Sequence, residues 1–394
     1  MRPLKLALAI MSVLSLPAQA SGIFLQEAVT ANAGTAGAGD GVYTGSAAAM
    51  WTNPATMSGM GESQTTFNLL GFDLKMDYTD NADRGNGEAH SVLPSFGAFH
   101  AHQITDNLHL GLALGAVGGS SLSYGNEWAG AAALDEITLT AMQFNPALSY
   151  RINSQWSVGA GLQLSWAALQ QSTSVLNVKQ GTDWAFGANA GVMYQHDDRL
   201  ALSVSYRTKL EHEFDTRVTS SISGAPGLIN KLQTDISLPA IADMSASYAV
   251  TDQLDLLASV QWHRWSEWDN TVMNFTPDTD LGLGRDGVTI DRDWDDVWKF
   301  ALGADYQVNS QWRLKAGFSY ETSPQDDPSK QWVDVPVGEQ YRYSVGAATK
   351  WDDITVDMFY EYADLGDVDI QRTIPRLNGS FDGRIHFVGV SFTY

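Results

Sequence analysis

The 394-residue sequence has no cysteine, only 23 basic residues against 45 acidic ones, and a single long apolar run. The missing cysteine excludes disulfide scaffolds, thiolate zinc sites, iron–sulfur clusters, thiol catalysis and a lipidated N-terminus together. A net charge of −22 with no Lys/Arg run offers nothing to a phosphate backbone, so nucleic acid is excluded as a partner. A membrane-spanning helix needs about 18 apolar residues, and the one candidate run lies at 6–17. Composition alone, 44% hydrophobic, reads as a soluble protein.

What is present changes that reading. Residues 1–20 have a basic start (Arg2, Lys5), an apolar core and the small-x-small end Ala18-Gln19-Ala20, the pattern of an export signal cleaved near Ala20. Its removal takes two positive charges and no negative one, which moves the net charge to −24.

From about Glu62 onward, apolar residues recur with period two in segments of roughly ten residues. In 156–168 one face carries Trp156, Val158, Ala160, Leu162, Leu164 and Trp166 and the other Ser157, Gly159, Gly161, Gln163 and Ser165. The pattern recurs at 108–116, 184–194, 200–208, 254–262, 298–306, 312–320, 341–349, 354–362 and 388–394. Alternation alone does not say which face is inside, but the connections do. Short polar turns (103–107, 151–155, 196–199, 250–253, 307–310, 350–353) alternate with long polar segments (76–91, 118–133, 215–230, 269–291, 323–338, 365–382). Tight turns at one end and long loops at the other are the signature of an outer-membrane barrel. The count is 14 strands, so the expected fold is all-β: a 14-stranded antiparallel transmembrane β-barrel over 62–394.

Such a strand crosses in roughly nine to eleven residues with only half facing lipid, which explains the missing apolar runs. Trp156, Trp166, Trp184, Tyr194, Trp298, Tyr306, Trp312, Tyr320 and Tyr394 near strand ends fit two interfacial girdles. Val388, Val390, Phe392 and Tyr394 resemble the terminal signal that outer-membrane assembly machinery reads. Residues 21–61, with eight Gly, nine Ala and only Glu27 and Asp40 charged, suit a hatch folded inside the barrel. There Asn53-Pro54-Ala55 marks a turn after the helix-prone run 46–50.

Gly22, Leu25, Glu27, Gly34, Gly39, Gly41 and Asn53-Pro54-Ala55 stand in register with the N-terminal hatch of the FadL family of outer-membrane long-chain fatty-acid transporters. The chain resembles that family along essentially its whole mature length, through Tyr150-Arg151, Trp156-Ser157, Tyr206-Arg207, Leu238-Pro239, Trp265-Ser266, Trp312, Ser323-Pro324 and Phe387 to Tyr394. The resemblance implies a monomeric barrel in the outer membrane of a Gram-negative bacterium, among outer-membrane lipid and lipopolysaccharide. It implies a hydrophobic ligand captured at the outer loops, held in a lumenal pocket with Ile23 from the hatch, and released sideways at a kink in the third strand. Ala116, Val117, Gly118 and Gly119 are the expected kink, since adjacent glycines let a strand bend cheaply.

One departure bears on the ligand. Positions where relatives place carboxylate-binding bases correspond to Ala116, Thr173 and Val272, none of them charged. Either Arg207, Arg264 or Arg313 replaces them or the ligand is uncharged, as in the aromatic-hydrocarbon branch of the same family. No catalytic residue, cofactor or metal is assigned. Gly282-Leu283-Gly284-Arg285-Asp286-Gly287 lacks the strand and helix of a dinucleotide site, and Asp291, Asp293, Asp295 and Asp296 lack calcium-loop spacing. The competing classes are an outer-membrane barrel lipase or phospholipase, which needs a Ser/His pair on neighbouring strands, and a secreted soluble β protein.

Overall fold

A computed structural model describes residues 26–220, 229–268, 270–277, 287–336, 338–373 and 376–394. The glycine-rich segment 282–287 therefore falls mostly outside them, as do the export signal and Ile23.

Eighteen β segments form one sheet closed on itself. β1 (Ser63–Asp80), β2 (Gly87–Thr105), β3 (Leu108–Ser123), β4 (Glu136–Arg151), β5 (Trp156–Ser172) and β6 (Leu176–Gln195) are continuous, as are β15 (Trp312–Glu321), β16 (Gln340–Trp351), β17 (Ile354–Arg372) and β18 (Leu377–Thr393). The others combine in pairs, end to end. β7 (Leu200–Arg207) continues as β8 (Leu210–Ser220), and β9 (Ile229–Leu238) as β10 (Ala240–Thr251). β11 (Leu254–Arg264) continues as β12 (Asn270–Pro277), and β13 (Gly287–Asp291) as β14 (Val297–Gln307). The result is 14 antiparallel staves, closed by β1 pairing with β18 from Thr66↔Thr393 to Asp80↔Gly379. Closure leaves no sheet edge.

The paired staves break where the backbone loses its ladder. Pro239, which has no N–H to give, separates β9 from β10, and a 3₁₀ turn at Trp265–Glu267 separates β11 from β12. Pro146 is accommodated inside β4 by its neighbour: the Asn145 amide donates to Leu162 O at 2.7 Å, on the residue opposite the proline.

The long segments expected to be loops are shorter than the sequence suggested. β1 and β2 extend through 76–91 to a turn at 81–86, and β17 and β18 extend through most of 365–382. The reason is an inversion of facing along the barrel. Near the short turns, β1 points Phe67 and Leu69 outward, Leu69 being 51% exposed, and Thr66 and Asn68 inward. Beyond Leu70 it points Leu70, Phe72, Leu74, Met76 and Tyr78 inward and Asp73, Lys75 and Thr79 outward. β18 mirrors this, with Phe381, Ile385 and Phe387 inside, then Val388, Phe392 and Tyr394 outside. The turn end is an inside-out protein and the loop end an ordinary one.

Inside the turn end, residues 26–61 are bonded to the wall. The Asn53 amide donates to Gly41 O (2.9 Å) and Val192 O (3.3 Å), while its Oδ1 accepts from Ala55 N–H (3.0 Å). Pro54 then opens the 3₁₀ turn Pro54–Gly59, where a missing N–H costs nothing, and Ala55 O accepts from Ser149 and Ser157. Two wall glycines are required by this fit. A Cβ on Gly191 would stand 2.1 Å from Asn53 Oδ1, and one on Gly317 would stand 2.1 Å from the Thr35 carbonyl.

Candidate functional site

The inversion gives the loop end a packed apolar interior, termed the chamber, with a narrow cavity of about 20 Å³ beside Trp268 and Arg292. Phe72, Leu74 and Met76 of β1, Ile137 and Leu139 of β4, Leu169 of β5, Phe214 of β8, Ile236 of β9 and Phe381 of β18 form one contiguous cluster. Its floor is the N-terminal segment, where Trp51 meets Phe99 edge-on at 6.3 Å. Its side and roof are aromatic. Tyr78, Tyr124, Trp128 and Phe381 stack at 4.5–6.2 Å, and Trp265, Trp268 and Trp294 pack at 5.1–6.2 Å. Burial of this surface from water is worth about 25 cal/mol per Å², so a hydrophobic molecule entering it gains by the same route.

Arg292 lies against this interior beside the tryptophan cluster. Arg292, 2% exposed, has its guanidinium 3.9 Å from the Trp268 ring centroid and forms two bonds to Asp334, at 3.3 and 2.6 Å. Its Nε–H donates to Thr271 Oγ1 at 2.8 Å. Burial pushes the Tyr124 phenol well above its ordinary range, and the carboxylates of Asp77 and Asp334 add to the effect.

A slot opens between β2 and β3. Their ladder ends at Gly97↔Gly115. Further along, the Ser91 hydroxyl donates to Ser121 O at 2.5 Å. Residues 92–96 face 116–120 with no ladder between them, about 17 Å of strand at roughly 3.3 Å per residue. Against β4 on its other side, β3 slips register between Ala116 and Gly118, so Val117 is a bulge residue, and it is fully buried. Pro94, which cannot donate, falls in the unladdered stretch of β2, the position a strand proline tolerates.

The residues singled out from sequence separate into groups. Asn53, Pro54 and Ala55 lie together against the wall; Ala116, Val117, Gly118 and Gly119 lie along the slot. The pocket candidates do not converge. Thr173 sits in the β5–β6 turn, where its hydroxyl accepts from Val175 and Leu176 N–H, and Val272 is on β12 with its side chain outside the described residues. Ala116 has the parity of the outward face. Arg207 donates to Trp51 O at 3.0 Å and stacks on its ring; Arg264 points outward and pairs with Glu267 at 2.9 Å; Arg313 is bound to Asp305 at 2.6 and 2.9 Å. Arg292 and the chamber residues escaped sequence reasoning, which took the apolar face as outward along every strand. The signal lay in apolar doublets, Leu69-Leu70 and Phe387-Val388, where the parity changes.

A Ser/His pair does occur. Ser165 Oγ is 3.0 Å from His212 Nε2, and His212 Nδ1 is 3.4 Å from Asp183. Ser165 is fully buried, and Asp183 accepts from Glu213 N–H. The three bridge the stretch where β6 and β8 lack a ladder, since their pairing covers only Leu176–Val178. In the acidic stretch after β13, Lys330 already bridges Asp291 and Asp293 at 2.9 Å each.

Comparison with known proteins gives one consistent answer. The model of the family described as outer membrane protein transport protein (OMPP1/FadL/TodX) matches residues 11–394. Outer membrane protein P1 of Haemophilus influenzae is 23% identical, covering 88% of this chain and 86% of that protein. The long-chain fatty acid transport protein of Escherichia coli K12 is 20% identical, covering 99% and 98%. Among solved structures, a Pseudomonas aeruginosa FadL homologue superposes with a TM-score of 0.84 at 18% identity, covering 95% of this chain and 99% of that one. The Pseudomonas putida toluene transporter TodX gives 0.71 at 16%, covering 93% and 99%. A closed 14-stave barrel matched by the family model from residue 11 to its last residue belongs to the OMPP1/FadL/TodX family of outer-membrane transport proteins.

Proposed function

We propose that this chain is a passive outer-membrane channel for long-chain fatty acids or related hydrophobic compounds. The observation that carries the reading is the inverted interior: an apolar chamber inside the loop end, walled from the medium by a polar exterior. Ligand is captured at the outer loops, rests in the chamber, and leaves sideways into the membrane through the β2–β3 slot at Ala116, Val117, Gly118 and Gly119. Residues 21–61 act as the hatch that closes the turn end, anchored at Asn53-Pro54-Ala55, so that water-soluble molecules do not pass. The turn end sits in lipid, the protein works as a monomer beside lipopolysaccharide, and β18 is the strand read by the assembly machinery after cleavage near Ala20. The toluene-transporter likeness supports a second substrate reading, aromatic hydrocarbons; the buried Ser165 gives the lipase reading little support.

The test is uptake by a strain lacking its own transporter of this family. Expression of this chain is expected to restore growth on oleate or on a monoaromatic hydrocarbon as sole carbon source. Unchanged uptake of both classes, with the protein present in the outer membrane, rejects the reading.

A further inference from the structure

We propose that the chamber takes uncharged hydrophobic compounds carrying one hydrogen-bond acceptor, such as an ester, ketone or alcohol, in preference to carboxylates of the same hydrocarbon body. This rests on the uptake reading and names the ligand class of the same site.

The Arg292 charge is already compensated. Arg292 is held by Asp334 through two of its nitrogens and by Thr271 through a third, and Trp268 covers its face. Among the described residues, the ionisable groups lining the narrow cavity at this point are Asp235, Arg292 and Asp334, one basic against two acidic. An entering carboxylate that displaces Asp334 leaves a part-buried anion without its counter-charge, and one that accepts only from neutral donors keeps its own charge uncompensated in a low-dielectric interior; both are unfavourable. The outer face of the loop end adds to this: a groove of about 500 Å³ there is lined by Asp326, Glu339, Asp364, Asp367 and Asp369, a negative field around the collar.

The chamber does offer unused donors. Trp268 Nε1–H and the Tyr124 hydroxyl are both buried and have no partner among the described residues. Their neighbours are satisfied: Tyr78 donates to Asp80 at 3.0 Å and Trp128 to Leu134 O at 2.8 Å. Buried polar groups are ordinarily bonded, so two open donors beside an apolar wall call for an acceptor that brings no charge.

The experiment is equilibrium dialysis of the full-length protein in lipid nanodiscs at pH 8 against empty nanodiscs, with oleate, methyl oleate and octadecene quantified by mass spectrometry. Wild type is expected to retain methyl oleate over oleate by about tenfold. Asp334→Asn, which uncovers the Arg292 charge, is expected to reverse that order, and Trp268→Phe to weaken methyl oleate several-fold while leaving octadecene unchanged. Oleate binding as tightly as the ester to wild type overturns the proposal, and that ratio decides even if a variant does not assemble. Equal loss of ester and hydrocarbon in Trp268→Phe also overturns it, since the indole N–H would then serve packing or a bound water. Saturable binding of none of the three rejects the uptake reading and this inference with it.

Discussion

Asp40 shows how a single side chain both holds the N-terminal segment and exposes it to pH. Its two carboxyl oxygens accept from Ala31 N–H at 3.0 Å and Asn32 N–H at 3.1 Å, closing a turn inside the barrel. Burial nevertheless pushes its pKa up to about 6 from the usual 3.8, with the two amide bonds pulling the other way. The folded protein therefore holds this proton more firmly than the unfolded chain does. The stabilisation is complete below about pH 4 and is lost as pH rises through about 6. Thermal unfolding of the purified barrel is expected to show a lower midpoint at pH 7.5 than at pH 4.5. Asp40→Asn moves the absolute midpoint, because one acceptor becomes a donor, but flattens the slope; an unchanged slope would place the titration elsewhere. In the sequence, Asp40 was one of two charges in a small-residue segment, and nothing marked it as a cap. The Asn53-Pro54 turn was legible because proline restricts its predecessor to extended backbone; its partner Val192, 139 residues away, was not.

At the scale of the element, local chemistry explains what could be read and what could not. Strand positions followed from period-two alternation, and the register slip of β3 at Val117 lies beside Gly118-Gly119. The slot needed a second signal, Pro94, which only becomes informative once β2 is known to face β3. The length of β1, β2, β17 and β18 was hidden because their outer halves keep the same period with the opposite face apolar, which sequence alone reads as loss of pattern. The slot itself carries a direct prediction. Continuing the register that ends at Gly97↔Gly115 by one residue brings Phe96 toward Ala116 at the edge of the slot, and with no native cysteine a Phe96→Cys, Ala116→Cys pair can be oxidised to a disulfide without competition. Oxidised, this bridge is expected to lower uptake at least tenfold in transport-complemented cells, and reductant to restore it. Uptake unaffected by a verified disulfide would remove the lateral route and leave the chamber.

Across the whole molecule, the two facings divide a net charge of −22 between inside and outside. Inside the turn end, Glu27 with Arg342 (3.5 Å) ties the N-terminal segment to the wall, and Lys315 with Asp357 joins β15 to β17 within the wall. Outside the same region lies an apolar surface that includes Leu69, Phe186, Leu302, Trp351 and Val388, each more than half exposed. No soluble protein tolerates that much exposed apolar surface, and lipid is the solvent that satisfies it. The loop end has the reverse arrangement, with Asp73, Asp77 and Asp382 outside and Phe72, Tyr78 and Phe381 inside, so it belongs in water. Under the proposed outer-membrane reading the lipid boundary is expected to run around the barrel through Leu69-Leu70 and Phe387-Val388, leaving the loop end clear of the membrane as a polar-walled collar. Single cysteines test this cleanly in a chain that has none. At Asp73, Asp77 and Asp382 they are expected to react with a membrane-impermeant maleimide on intact cells; at Leu69, Met358 and Val390 they are expected to stay unlabelled until the membrane is dissolved in detergent. Labelling at Leu69 as fast as at Asp77 would move the lipid boundary toward the turns and leave even the lower edge of the slot, where Phe96 pairs with Leu69, in water, where an exit into the bilayer could not work.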